Sequence, residues 1–252
     1  ADGLFFAAES PDTPPDGSMY GHGFATLFLC EILGELNEPA FDPDQVEAAA
    51  RSAVRRIVTS QNRDGGWRYV PTSAEADISV TVCQIAALRS AKDAGLTIPD
   101  GVVPAAIRYI RRCRNPADGG FFYQPDRRES SRFARTAAAV SALRTAGLND
   151  LAVEAEIADG LRYVLANRPR RTTGAYPYYG RFYATRAAWQ AGGETWERWY
   201  PPLRDDLVRS AIRDGPLTHW RSRADVPSDE YATALAVLAL RVPQRLLPIY
   251  RR

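Results

Sequence analysis

Gln61-Asn62-Arg63-Asp64-Gly65-Gly66-Trp67 recurs in weaker form further along the chain. Asn115-Pro116-Ala117-Asp118-Gly119-Gly120-Phe121 is a second copy, and Arg213-Asp214-Gly215, with Trp220 just beyond, is a degraded third. Each copy follows one amphipathic segment and precedes another of different texture. A turn repeated in this way marks a repeat architecture, because one supersecondary unit has been stacked several times.

The segments between the turns alternate between two kinds. Residues 20–34, 77–95, 131–147, 179–192 and 229–240 are rich in Ala and small residues and apolar on most faces, with Thr-Ala-Ala-Ala-Val-Ser-Ala-Leu at 136–143 the extreme case. A helix apolar nearly all round is a buried one. Residues 43–60, 101–113, 151–167 and 196–213 instead carry one apolar stripe, such as Val46, Ala50, Val54, Ile57 and Val58. Asp42 as N-cap, Pro43 at N1 and Gln45 at N3 open the first of these. Gly34, Gly95, Gly147 and Gly192 stand where inner helices close.

A threonine recurs in phase in the buried segments (Thr26, Thr81, Thr136, Thr185, Thr233) at intervals of 55, 55, 49 and 48 residues. One helix pair plus two loops fits that length. The expected fold is all-α: one α/α toroid domain over 1–252, with buried inner helices parallel to one another and half-buried outer helices running back. A straight solenoid is the alternative, with more equally amphipathic helices. No stretch alternates with period two for long enough to require a sheet.

Residues 1–18 are turn-like, and the chain then enters an inner helix without the outer helix that should precede it. By this count the first hairpin is missing. Either the sequence is part of a longer chain, or the N-terminal segment and the tail Val242–Arg252 fill the gap.

Composition excludes several function classes. The chain has 252 residues, 45% hydrophobic, with net charge +2, which argues against electrostatic capture of nucleic acid or anionic membrane. No apolar run approaches the roughly 20 residues needed to span a bilayer, and no signal peptide is visible, so a soluble protein of unassigned compartment is expected. Cys30, Cys83 and Cys113 are an odd set without metal-ligand spacing and read as buried free thiols.

Gln61-x-x-x-Gly65-x-Trp67 resembles the glutamine–tryptophan repeat of squalene and oxidosqualene cyclases, and the helix texture resembles the wider toroid group that includes protein prenyltransferase β subunits. Met19-Tyr20-Gly21-His22-Gly23-Phe24-Ala25-Thr26, Ala76-Asp77-Ile78-Ser79-Val80-Thr81, Tyr178-Tyr179-Gly180, Ala191-Gly192-Gly193-Glu194 and Leu247-Pro248-Ile249-Tyr250 are similar to a bacterial group of prenyltransferase/squalene-oxidase repeat proteins. The resemblance implies a further N-terminal helix pair, and an apolar, isoprenoid-type ligand in a central cavity.

The family chemistry carries over only in part. Terpene cyclases that protonate an alkene use an Asp-x-Asp-Asp cluster at an inner-helix start; the matching place here reads Glu75-Ala76-Asp77. Two acids at i and i+2 share a proton if they converge; otherwise Asp77 N-caps its helix. The zinc set of prenyltransferases lacks its histidine at Asp229-Glu230-Tyr231-Ala232-Thr233-Ala234, and the chain has only His22 and His219, so no metal and no cofactor is expected.

The inner-helix starts gather the candidate residues: Asp77, Glu75 and His22 as catalytic groups, and Tyr20, Arg135, Tyr179, Tyr183, Glu230 and Tyr231 for ligand binding. Three readings stay open. The first is a terpenoid-cyclase-like or prenyltransferase-like protein, catalytic or not, holding an apolar ligand. The second is a polysaccharide lyase-like enzyme using Arg135, Arg181 and Arg186. The third is a non-catalytic interaction module. The missing helix also predicts a dimer contact or a neighbouring domain near Tyr20–Glu35.

Overall fold

The computed structural model describes residues 3–5, 18–33, 42–127, 129–147, 150–169, 176–222 and 228–245. Most of the N-terminal segment, Gly34, Glu35, the Leu247–Tyr250 motif and most of the tail lie outside them. Among the described residues, inner helices α1 (Ser18–Ile32), α3 (Ile78–Asp93), α5 (Phe133–Thr145), α7 (Pro177–Ala191) and α9 (Asp229–Arg241) alternate with outer helices α2 (Pro43–Thr59), α4 (Val102–Arg112), α6 (Leu151–Ala166) and α8 (Gly193–Ser210). Successive inner helices lie side by side from α1 to α9, and each outer helix packs on the inner helix before it. No comparable packing joins α9 to α1 among the described residues, so the inner series is an arc. Most residues of α3 and α7 are buried, whereas α2 buries only Ala50, Ala53, Val54 and Ile57.

The N-terminus of α2 is capped as its sequence requires: the Asp42 side chain accepts from the Asp44 amide, with Pro43 in the first turn. One expectation fails. The outer segment read as 196–213 ends at Ser210, and a short antiparallel hairpin follows, β1 (Ile212–Asp214) with β2 (Leu217–His219). Three residues per strand are too few to show as a period-two pattern.

The turns explain the repeat. In the first, the Asn62 amide donates to Gly66 O (3.0 Å), while Asn62 Oδ1 accepts from Asp64 and Gly66. In the second, the Asn115 amide donates to Gly120 O (2.8 Å) and its side chain accepts from Ala117. Gly65 has φ +89°, and a Cβ there would stand 2.4 Å from Ala105 O on α4, so the turn docks on the next outer helix through a position only glycine fills. Gln61 does not close its own helix as a capping side chain. Its amide donates to Gly65 O (2.8 Å) and Val102 O (2.9 Å), tying the turn to the start of α4.

The recurrent threonines are the other half of this device. The backbone amide of the turn aromatic donates to the threonine hydroxyl oxygen: Trp67 to Thr81 (3.1 Å), Phe121 to Thr136 (3.1 Å) and Trp220 to Thr233 (3.0 Å). The indole N–H of Trp67 reaches Ile57 O (2.8 Å), and that of Trp220 reaches Leu207 O (2.9 Å), both at the end of the preceding outer helix. The third turn has become a β-hairpin, yet Trp220 keeps both bonds. In the fourth repeat Thr185 accepts instead from the Trp199 indole (3.0 Å). Each buried amide thus gains an acceptor, without which it costs about 1–3 kcal/mol.

Candidate functional site

The start of α3 is gripped from two sides. The Asp77 amide donates to Trp67 O (3.0 Å), and the Ile78 amide donates to Tyr123 O (3.1 Å). Between these bonds the Asp77 side chain is wholly buried. Its Oδ1 accepts from the amides of Ser79 (2.9 Å) and Val80 (3.0 Å), which is an N-cap. Its Oδ2 is buried with no hydrogen-bond partner.

Burial pushes the Asp77 carboxyl above its ordinary range, against the opposing pull of the Val80 and Ser79 amides, the Arg68 guanidinium and the approach of the Tyr123 hydroxyl. That hydroxyl does not meet the geometry of a hydrogen bond to Oδ2. The result is a carboxyl half-satisfied as an anion and favoured as an acid.

Tyrosines crowd this carboxyl. Tyr20 on α1 interacts with Ser79 and lies near Asp77 and Cys83; burial, then the Asp77 charge, raises its hydroxyl pKa. Its ring stands 5.9 Å from that of Tyr69, whose hydroxyl is 2.5 Å from the Tyr123 hydroxyl. Deeper in, the Tyr179 and Tyr183 rings lie 4.6 Å apart, tilted at 56°, and the Tyr183 hydroxyl meets Cys83 Sγ at 3.7 Å. The Tyr179 hydroxyl is buried without a partner. Burial pushes the Cys83 thiol up to about 12, so it is no nucleophile at neutral pH. Tyr231 on α9 lies near Cys83 and is also raised, chiefly by burial. Cys30, Cys83 and Cys113 are all free and buried.

Two arginines flank the same end. Arg68 lies 5.0 Å over the Tyr69 ring and 5.7 Å over the Tyr123 ring, with Glu75 at 3.3 Å. Arg135 lies 5.8 Å from the same Tyr123 ring and donates to Ser130 O (3.0 Å). Arg68 Nη1 is the atom that faces Glu75, and Arg135 Nη1 lies 3.6 Å from Glu129, while the buried Arg135 Nε lacks a hydrogen-bond acceptor.

The structure therefore brings together Asp77, Tyr20, Tyr179, Tyr183 and Tyr231, with Arg135 at the rim. The remaining candidates lie elsewhere. Glu75 turns outward, 63% exposed, against Arg68, so the two acids do not converge. Glu230 is exposed, and a hydrogen bond from Ser228 lowers its pKa. His22 is buried in packing: the Phe5 amide donates to Nδ1 (3.1 Å), and Nε2 faces Ala53 O on α2 (3.1 Å). Both ring nitrogens are occupied on the side of α1 turned to the outer helix.

Tyr179, Phe182, Tyr183 and Cys83 are buried among the inner helices. Recesses of about 240 Å³ and 470 Å³ lie outside this group, the larger lined by Asp64, Glu75, Tyr109, Arg112, Gln124 and Arg127 among others. The three arginines of the lyase reading do not share a groove. Arg181 pairs with Asp206 of α8 (2.6 Å), and Arg186 is buried under Thr145 (3.3 Å). No helix among the described residues is long and apolar enough to cross a membrane.

Sequence reasoning missed Arg68, Tyr69 and Tyr123. The signal was present: each tyrosine stands two residues after its turn aromatic, Trp67 or Phe121.

A family model of the prenyltransferase alpha-alpha toroid domain matches residues 6–181. A drimenyl diphosphate synthase from Streptomyces showdoensis is 32% identical over 249 residues, covering 93% of this chain and 43% of the relative. The chain thus spans less than half the length of that curated relative.

Proposed function

The chain belongs to the prenyltransferase alpha-alpha toroid family, and from that premise we propose that it binds an isoprenoid at the helix-start end of the arc and protonates one of its double bonds through Asp77. The observation that carries this reading is the buried Asp77 carboxyl, with one oxygen committed to the helix start and the other unpartnered among tyrosines. Burial favours the protonated form of this carboxyl, the form that carries a proton to give.

The step is redox-neutral. The alkene π pair takes the Asp77 proton and forms a C–H bond, leaving a carbocation and the Asp77 carboxylate. A neighbouring double bond attacks the cation and closes a ring; the last cation releases a proton to water. The faces of Tyr20, Tyr179 and Tyr183 present negative ring quadrupoles to such cations. Arg135, whose buried Nε lacks an acceptor, and Arg68, which would exchange Glu75 for the ligand, suit an anionic head such as a diphosphate. The relative's name describes a product that retains its diphosphate, which fits a reaction begun at a double bond rather than by expelling diphosphate. Tyr20 and Tyr123 are partly exposed above Asp77, and their displacement admits the ligand. Glu75 positions Arg68, Tyr231 lines the inner side of the cluster, and Glu230 belongs to the exposed rim.

The test uses all-trans farnesyl diphosphate as probe, with products dephosphorylated and resolved by gas chromatography and mass spectrometry. The wild-type protein should give a cyclic isomer and Asp77→Asn none. An Asp77→Asn protein as active as wild type ends the reading. The expectation of a covering partner on α1 also stands as a proposal, supported by Phe28, which is 62% exposed there. Sedimentation velocity of wild type and Phe28→Glu decides it: a monomer in both cases overturns it.

A further inference from the structure

Asp77 Oδ1 is committed to the amides of Ser79 and Val80, so the direction of its unpartnered Oδ2 depends on how the backbone just before it is held. Two buried side chains hold that backbone. The Tyr109 hydroxyl of α4 donates to Ala76 O (2.7 Å), and the Gln124 side-chain amide donates to the same oxygen (2.8 Å). We infer that Tyr109 and Gln124 are positioning residues for Asp77, which fix its carboxyl by clamping the peptide that precedes it. This rests on the reading of Asp77 as proton donor.

A carbonyl oxygen has two lone pairs, and Ala76 O uses both here. On the other side of the same peptide, the Asp77 amide donates to Trp67 O (3.0 Å), and the next amide, Ile78, donates to Tyr123 O (3.1 Å). Four bonds thus hold two successive peptides, from α4, from the first turn and from the segment after the second. Both side-chain donors are buried, so a lost bond leaves Ala76 O short of a partner.

The fold does not require this clamp. Tyr163 of α6 repeats Tyr109: a Cβ on Gly66 would meet the Tyr109 ring at 3.1 Å, and one on Gly120 would meet the Tyr163 ring at 3.0 Å. The two rings back the two turns alike. Yet among the described residues the Tyr163 hydroxyl makes no bond to Ser131 O, the carbonyl before the exposed Arg132. Gln124 stands three residues beyond Phe121, where the first turn has Val70 beyond Trp67. The bonds are added where the helix start carries a buried acid.

Loss of either bond frees the Ala76–Asp77 peptide to tilt, which carries Oδ2 toward water and favours its anion. The titratable or charged groups facing Asp77 are Tyr20 from α1, Arg68 and Tyr123 from the turns, Cys83 from α3, and Tyr109 and Cys113 from α4. Burial raises the Tyr109 hydroxyl above its ordinary range, so Tyr109→Phe removes no charge at neutral pH. A shift at Asp77 then reports position.

The closing experiment titrates the protonated Asp77 carbonyl band by infrared spectroscopy, assigned by its loss in Asp77→Asn. Tyr109→Phe keeps its ring against Gly66 and loses one bond; Gln124→Met keeps its length and loses the other. Each should lower the titration midpoint by about one pH unit, the equivalent of one hydrogen bond. Tyr163→Phe, an equal truncation one repeat away, should leave the midpoint unchanged. With farnesyl diphosphate, Tyr109→Phe and Gln124→Met should lower kcat about tenfold and leave KM within about twofold. A wild-type midpoint in both variants overturns the clamp, and so does an equal shift in Tyr163→Phe. An Asp77→Asn protein that cyclises the substrate at the wild-type rate sinks the proposed reaction alone, and the midpoints still decide whether Tyr109 and Gln124 hold Asp77.

Discussion

Asp77 and Arg132 occupy the same place in successive repeats, and they differ in charge and burial. Both stand at an inner-helix start, four residues before the latching threonine, Thr81 or Thr136. Both follow a small residue that closes on the second turn glycine: a Cβ on Gly66 would meet Ala76 Cβ at 2.6 Å, and one on Gly120 would meet Ser131 Cβ at 2.5 Å. Yet Asp77 is wholly buried and caps α3, while Arg132 is exposed and makes no capping bond to α5. The fold therefore does not demand a cap, or a buried charge, at this position. A buried, capping carboxyl at this position belongs to α3 and is not shared with α5.

The turns give that comparison its hardest test. Gly65→Ala places a Cβ 2.4 Å from backbone at φ +89°, whereas Gly119→Ala meets Asp159 Cβ at 3.0 Å with φ +76°. Urea unfolding should show a loss of about 3 kcal/mol for the first, from a left-handed alanine plus overpacking. The second should lose roughly 2 kcal/mol. A reversed order would mean that the two turns do not dock on their outer helices as described.

Next come the latches, which should be equal. Thr81→Val and Thr136→Val each leave a buried amide without its acceptor, costing about 2 kcal/mol. Faster hydrogen exchange at the Trp67 amide alone in the first variant, and at the Phe121 amide alone in the second, would tie each latch to its own repeat.

The helix starts should then part company. Asp77→Ala removes a cap worth about 1 kcal/mol, and Arg132→Ala, at an exposed position, should stay within about 0.5 kcal/mol. Equal effects would erase the contrast drawn above. The smallest effect is the sharpest in sign. Because the Asp77 pKa is raised in the folded protein, its ionisation penalises the folded state as pH rises through that value, and the penalty is absent below the unfolded pKa. Asparagine keeps a capping oxygen and cannot ionise. The melting temperature of Asp77→Asn relative to wild type should therefore climb with pH; a difference constant with pH would mean Asp77 is not shifted upward.

Much of the ring was legible in the sequence, because its devices are local. The phase of Thr81, Thr136, Thr185 and Thr233 marked the repeat, and the two helix textures separated inner from outer. The reason for the threonine was hidden: its partner is the backbone amide of an aromatic residue 14 or so positions earlier, and backbone groups leave no trace in composition. Asp77 was readable as a cap, and it is one. The isolation of its second oxygen was not readable, since that depends on Tyr20 and Tyr123, brought in from α1 and from the turn before α5. His22 stood in a suggestive position between two glycines, but its partners Phe5 and Ala53 are distant in sequence. The hairpin at Ile212–His219 escaped because a worn turn motif and a short strand pair look alike in eight residues.

The threonine latch also has a consequence for how such a ring changes over time. It fastens three of the repeats, through Thr81, Thr136 and Thr233, from inside the inner helix, four residues beyond the rim position. The rim residue ahead of it works like a socket in a bolted frame: its occupant can be exchanged while the bolt stays tight. A lineage carrying this frame can rewrite the chemistry of its rim one repeat at a time, and the degraded third turn, still bolted through Trp220 and Thr233, indicates how far the frame itself can wear before the ring lets go.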